Sequence, residues 1–172
     1  MFTYEGAEES EESFYTDIGM SLSVHRGKSA ALVWPRGAGI VLEDVSTEYM
    51  RDLVDCSPSD DVLVDHGGSA RKRMMRLLCE TLDVPEVGLA RWTLGVGQRI
   101  DDTNDRQDVL LLSLDGGFEC RIDSVGEIPG KTLNDSSIHL RARFGEVLYI
   151  PKSLGFSVSG AHSRCSILKV EF

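Results

Sequence analysis

The sequence predicts one domain in which a short helical region caps a β-sandwich or β-barrel. Three observations carry that expectation. From Ala90 onward the apolar runs are short and bounded by turn residues: "ARWTLGV", "DVLLLSL", "FECRIDSV", "SIHLRARF", "EVLYI", "FSVSG" and "SILKVEF". That is the spacing of strands. Helical periodicity is confined to two stretches ahead of them. Finally, 172 residues with 41% hydrophobic and 27% charged content suffice for one well-buried core, and no linker divides the chain.

Taken in order, residues 1–17 include "EGAEESEES" and are polar, acidic and aperiodic. They are expected to form a flexible tail, leaving 18–172 as the single domain. From Ser21, "SLSVHRGKSAALVWPRGAGIVLEDV" breaks short apolar runs with Gly and Pro, a pattern of strands and turns. Ser46 is placed as the N-cap of a helix, with Glu48 in its first turn and Tyr49, Met50, Leu53 and Val54 on one face. "CSPSDD" ends it, and "VLVDHGG" reads as a strand and turn. The clearest helix is "SARKRMMRLLCETL": Met74, Leu77, Leu78 and Leu82 share one face, Arg71, Lys72, Arg73 and Arg76 form its solvated side, and Pro85 ends it.

The net charge of −10 argues against nucleic acid and anionic membranes as partners. No run approaches the roughly 20 apolar residues of a membrane span, and the acidic N-terminus is unlike a signal peptide. Cys56, Cys79, Cys120 and Cys165 are scattered without zinc spacing. They are expected to be reduced thiols in a cytoplasmic protein. Asp101, Asp102, Asp105 and Asp108 lack the spacing of a calcium loop, and a solvated turn is expected there. "GVGQRIDD" and "PRGAGI" lack the lysine and following helix of a phosphate loop.

The stretch "LDVPEVGLARWTLGVGQRIDDTNDRQDVLLLSLDGGFECRI", followed by "GEVLYIPKSLGFSV" and "CSILKVEF", resembles the bacterial JmjC-type cupins, the ribosomal-oxygenase-like branch of the iron- and 2-oxoglutarate-dependent hydroxylases. The resemblance covers most of residues 20–172 and implies a double-stranded β-helix behind a small cap of helices and strands. The family's chemistry uses two histidines and one carboxylate on one side of Fe(II), leaving positions for 2-oxoglutarate and oxygen. By that resemblance Thr103 stands at the first histidine, Asp105 keeps the carboxylate, and Phe156 stands at the second histidine. At the cosubstrate positions Ser113 replaces a glutamine, Phe118 a lysine and Cys120 a tryptophan. A carboxylate of 2-oxoglutarate would thereby lose its cation.

The leading expectation is a cupin without metal or cofactor. It would serve as a ligand- or protein-binding accessory in a bacterial modification or biosynthetic pathway, taking a small molecule, peptide or protein partner. Pairing of two copies is consistent with the family. Trp92 is expected to line a pocket at the barrel mouth, with Arg91, Arg99 and Arg121 as candidate anchors. The alternative is a metal-independent isomerase, epimerase or cyclase using Asp105, His139 and Tyr149 for acid–base work. His139 would face the barrel interior if Ile138 and Leu140 point outward. A second alternative is an oxygenase that uses Fe(II) and 2-oxoglutarate with ligands relocated among His25, His66, His139 and His162. Cys120 and Cys165 are candidate nucleophiles only beside a histidine or positive field.

Overall fold

The computed structural model describes residues 4–55, 68–102, 106–124, 137–160 and 162–172. Its elements are α1 (Tyr4–His25), β1 (Ala31–Val33), α2 (Ala38–Asp55), α3 (Ser69–Leu82), β2 (Gly88–Leu94), β3 (Arg99–Asp102), β4 (Val109–Asp115), β5 (Gly117–Ser124), β6 (Ile138–Arg143), β7 (Val147–Ile150), β8 (Leu154–Gly160) and β9 (Cys165–Glu171). Sheet A has the order β1-β7-β4-β9-β2, and sheet B the order β3-β8-β5-β6. The paired strands within both sheets are antiparallel. Counting from β2, sheet A joins the first, eighth, third and sixth strands, and sheet B the second, seventh, fourth and fifth. That interleaving is the strand order of a jelly roll, so the barrel is a double-stranded β-helix of the cupin type.

Two cores follow from the alternation of side chains on shared strands. Leu110, Leu112, Leu168 and Val170 face the helices. Val109, Leu111, Cys165 and Ile167 face the barrel interior. Both faces of sheet A are covered, which is why β4 reads as a nearly continuous apolar run instead of an alternating one. The β4–β5 turn is held tight by Gly116, whose φ is +69° and whose absent Cβ would lie 2.7 Å from the Arg164 carbonyl oxygen.

The N-terminal segment departs from the expected tail. Helix α1 begins at Tyr4, within the residues read as flexible. Phe14, Ile18 and Leu22 recur every four residues, and with Tyr15 they are buried against α2 and α3. Its acidic start suits the positive end of a helix. Helix α2 starts at Ala38, not at Ser46, because Val41, Leu42 and Val45 form an apolar stripe packed on sheet A. The expected strand "VLVDHGG" and the "CSPSDD" stop fall outside the described residues except for Gly68.

The basic face of α3 is not all solvated. Arg71 is buried, its guanidinium 4.6 Å from the Tyr49 ring centroid and 3.5 Å from Glu48. Glu48 also accepts the backbone N–H groups of Ala70 at 2.6 Å and Arg71 at 3.0 Å. A side chain of α2 thus caps the first turn of α3, whose own Gly68 offers no side chain to do so. Glu48→Ala is expected to cost about 1–2 kcal/mol, the size of a lost cap, read as a lower thermal midpoint.

Candidate functional site at the barrel mouth

One end of the barrel gathers polar and aromatic groups from both sheets. In sheet B, Asp102 on β3 pairs in register with Phe156 on β8, which pairs in turn with Ile122 on β5. Paired residues of an antiparallel sheet share a face. Ile122 and Phe156 belong to the interior core, so Asp102 projects toward the interior as well. From sheet A, Lys169 on β9 reaches across. Its Nζ donates to Asp102 Oδ2 at 2.5 Å and lies 2.6 Å from Glu171 Oε1. It also sits 5.2 Å from the Trp92 ring centroid, in cation–π range.

The Lys169 side chain is 9% exposed, against 21% for Asp102 and 33% for Glu171. Burial alone pushes an ammonium's pKa down. The hydrogen bonds from Asp102 and Glu171, with their charges, outweigh it and hold Lys169 above the ordinary lysine value. The amine is therefore a fixed cation clamped by two carboxylates, and a nucleophilic role is closed to it at neutral pH.

Below this clamp the barrel is filled by side chains. Phe156 is 3% exposed, with its ring centroid 6.5 Å from that of Trp92. Phe118 and Cys120 occupy successive inner positions of β5 and are fully buried or nearly so. Ser113 is also buried and donates its hydroxyl to the Gly116 carbonyl at 3.0 Å. The suspected second-histidine position and the three cosubstrate positions thus all lie among packed residues. Thr103 and Asp105 fall outside the described residues.

The remaining expected site residues do not meet. Tyr149 lies on the helix-facing side of β7. Its hydroxyl accepts the Gly27 N–H at 2.8 Å and donates to Asp108 Oδ2 at 3.1 Å. Burial pushes its pKa up to about 12. His139 is exposed on the outer face of β6, 3.2 Å from Ser137. Its orientation is opposite to the one expected, because its neighbour Leu140 packs into the barrel. One hydroxyl serves to tie α1 to the barrel and one imidazole faces solvent, so the acid–base set of Asp105, His139 and Tyr149 is not brought into one pocket.

His25 hydrogen-bonds Ser29 in the turn after α1, His162 is exposed in the β8–β9 turn, and His66 lies outside the described residues. Among the described residues, no three histidine, cysteine or acidic side chains gather as a metal site would require. Arg91 turns to the helix side, donating to Ser166 at 2.8 Å. Arg99 and Arg121 lie on the outer face of sheet B, beside Asp101 and Asp123. None of the three anchors the mouth. Burial raises the pKa of both barrel thiols, that of Cys120 to about 12, so neither is a ready nucleophile.

The acidic run also departs from a solvated turn. Asp102 enters the clamp, and Asp108 is buried, accepting the Lys152 N–H at 2.9 Å. Sequence alone does not single out Lys169 and Glu171: in "SILKVEF" they alternate with Leu168, Val170 and Phe172, which is the pattern of charged residues on a solvated strand face.

The residues an iron and 2-oxoglutarate pair would need do not fit that pair. Phe156 supplies no donor atom, Phe118 supplies no cation, and their rings are packed in the interior. Among the described residues the cation that reaches the mouth is Lys169, already paired. No helix among the described residues is long and apolar enough to cross a membrane.

No protein-family model matches the chain, and no curated protein matches it in sequence. Solved structures similar to it include RmlC from Streptococcus suis in complex with dTDP-D-xylose, at 9% identity and a TM-score of 0.42, covering 49% of this chain and 43% of that one. The Drosophila melanogaster CENP-C cupin domain aligns at 17% identity and a TM-score of 0.40, covering 50% and 59%. An oxalate decarboxylase formate complex from Lactobacillus farciminis aligns at 11% identity and a TM-score of 0.41, covering 49% and 23%. The chain spans less than two thirds of each of these proteins. The fold assignment rests on strand order.

Proposed function

We propose that this chain is a metal-free cupin that binds a ligand or protein partner as an accessory in place of hydroxylating one. The observation that supports this reading is the packing of Phe156 into the barrel, where the JmjC resemblance sets a metal-binding histidine. The Lys169 clamp above it puts a covalently tethered ammonium at the mouth, and a second cation would meet its repulsion. Asp102, Glu171 and Trp92 remain partly accessible there, and recognition at this end falls to them.

Expression in iron-supplemented medium, anaerobic purification, metal analysis and a succinate assay with 2-oxoglutarate test the reading. Iron well below one equivalent and no succinate are expected. One equivalent of Fe(II) together with 2-oxoglutarate turnover would overturn it.

A further inference from the structure

Sheet A has five strands and sheet B four. The extra strand is β1, which lies beyond β7, and at that flank sheet B stops at β6. Among the described residues no strand of sheet B lies beyond β6 to face β1, and the inner side of β1 is correspondingly open. Leu32 pairs with inward-facing Leu148, yet it is 42% exposed. Trp34, two residues on, is 75% exposed and shares a shallow groove with Phe144 from the β6–β7 turn, itself 45% exposed. Ile138, at an inner position of β6, is 53% exposed. The exposed apolar side chains here are those a fifth strand of sheet B would cover.

The backbone of β6 is equally unfinished. It pairs with β5 on one side and with no described strand on the other, leaving alternate N–H and C=O groups directed outward. Its outer-face side chains are His139, Arg141 and Arg143. Across the register they meet Arg121, Glu119 and Gly117 respectively. Glu119 offsets Arg141, whereas Gly117 gives Arg143 no side chain to face. Among the described residues neither Arg141 nor Arg143 forms an ion pair.

A second copy fits this edge poorly. Two-fold antiparallel pairing about Leu140 sets His139 against Arg141 and Arg141 against His139. Arg143 then falls opposite Ser137, so neither arginine meets a carboxylate across the ladder, and each copy carries a net charge of −10. We propose that the free edge of β6 takes up an extended segment of a partner protein in which acidic and apolar residues alternate, completing sheet B. Its apolar side chains would lie over Leu32 and Ile138, its carboxylates beside Arg141 and Arg143, and its backbone would supply the missing ladder bonds. This surface is separate from the barrel mouth, so the inference stands whether or not the barrel takes iron.

Titration of the nitrogen-15-labelled full chain with a short capped peptide alternating valine and glutamate tests it by amide chemical shifts. Saturable shifts concentrated in β1, Trp34 and β6 are expected, with none from the same peptide carrying lysine for glutamate. The double variant Arg141→Glu/Arg143→Glu, altered only at exposed positions, should bind the glutamate peptide at least tenfold more weakly. Arg143→Gln alone should give an intermediate loss and serves if the double variant does not fold. Absence of saturable shifts, equal binding of both peptides, or an unchanged affinity in the variants would overturn the proposal and leave the arginines as charges that keep the edge solvated. A dimer dissolved by the same substitutions would assign the edge to a second copy and also overturn it.

Discussion

Phe156→Ala is expected to destabilise the fold by about 3–5 kcal/mol, the range for truncating a buried aromatic ring. The ring is 3% exposed on β8, an interior strand of sheet B, and packs in the core that includes Ile122, Val158 and Ile150. Its loss leaves a cavity with little freedom to collapse, because β3 and β5 hold β8 in register from both sides. Denaturant unfolding followed by fluorescence measures the effect as a shift in midpoint. A change below about 1 kcal/mol would mean the ring is a loose lid over usable space. Phe156→His provides the complementary test: it restores the residue type that the family resemblance expects, yet buries an imidazole among the apolar side chains of the interior core. The variant is expected to unfold earlier than the parent and to retain less than one equivalent of iron.

The barrel was legible because each of its strands is short, bounded by turns and distinct in period from a helix. The N-terminal cap was not, for a local reason. "SLSVH" alternates with period two while its Leu22 completes the four-residue spacing of Phe14 and Ile18. Both periods fit the same letters, and only packing against α2 and α3 selects the helix. The β-branched run around Val41 was ambiguous in the same way, since a short apolar run fits a strand as well as a buried helix.

At the site, Phe156 was identified through its family context, and the structure adds that its ring occupies the interior. Lys169 is not singled out, because the alternation Leu168, Lys169, Val170, Glu171 reads as a strand with one solvated face, whereas in the fold that lysine is buried. Tyr149 and His139 both lie on strands, Tyr149 facing the helices and His139 facing solvent. A shift of one residue in parity exchanges core for solvent, and the register of β6 and β7 is set by partners distant in the chain.

Lys169→Met is expected to cost about 1–3 kcal/mol at neutral pH, the scale of lost charge-assisted hydrogen bonds to carboxylates that keep partial access to water. Asp102 and Glu171 would then share the mouth without the cation that separates them. The same clamp predicts how the parent responds to alkali. Lys169 has a folded-state pKa raised above its unfolded value, so its stabilisation is complete below the unfolded lysine pKa of about 10.4. It is lost as the pH rises through the higher folded value. Cys120, raised from 9.0 to about 12, and Tyr149, raised from 10.0 to about 12, have the same sign, because burial opposes their ionisation. The unfolded chain gives up these protons first, so unfolding free energy should hold steady to about pH 8.5 and fall steeply between pH 9 and 12. Cys120 alone contributes on the order of 3–4 kcal/mol to that fall. Denaturant midpoints measured across this window check the sign and the size. Cys120→Ala should reduce the earliest part of the decline, which it shares with Cys165, and Lys169→Met should flatten its upper part, since neither variant has the corresponding proton to lose. A parent whose stability stays flat to pH 12 would show that the thiol and the amine are solvated, and the picture of a closed barrel under a paired ammonium would fall with it.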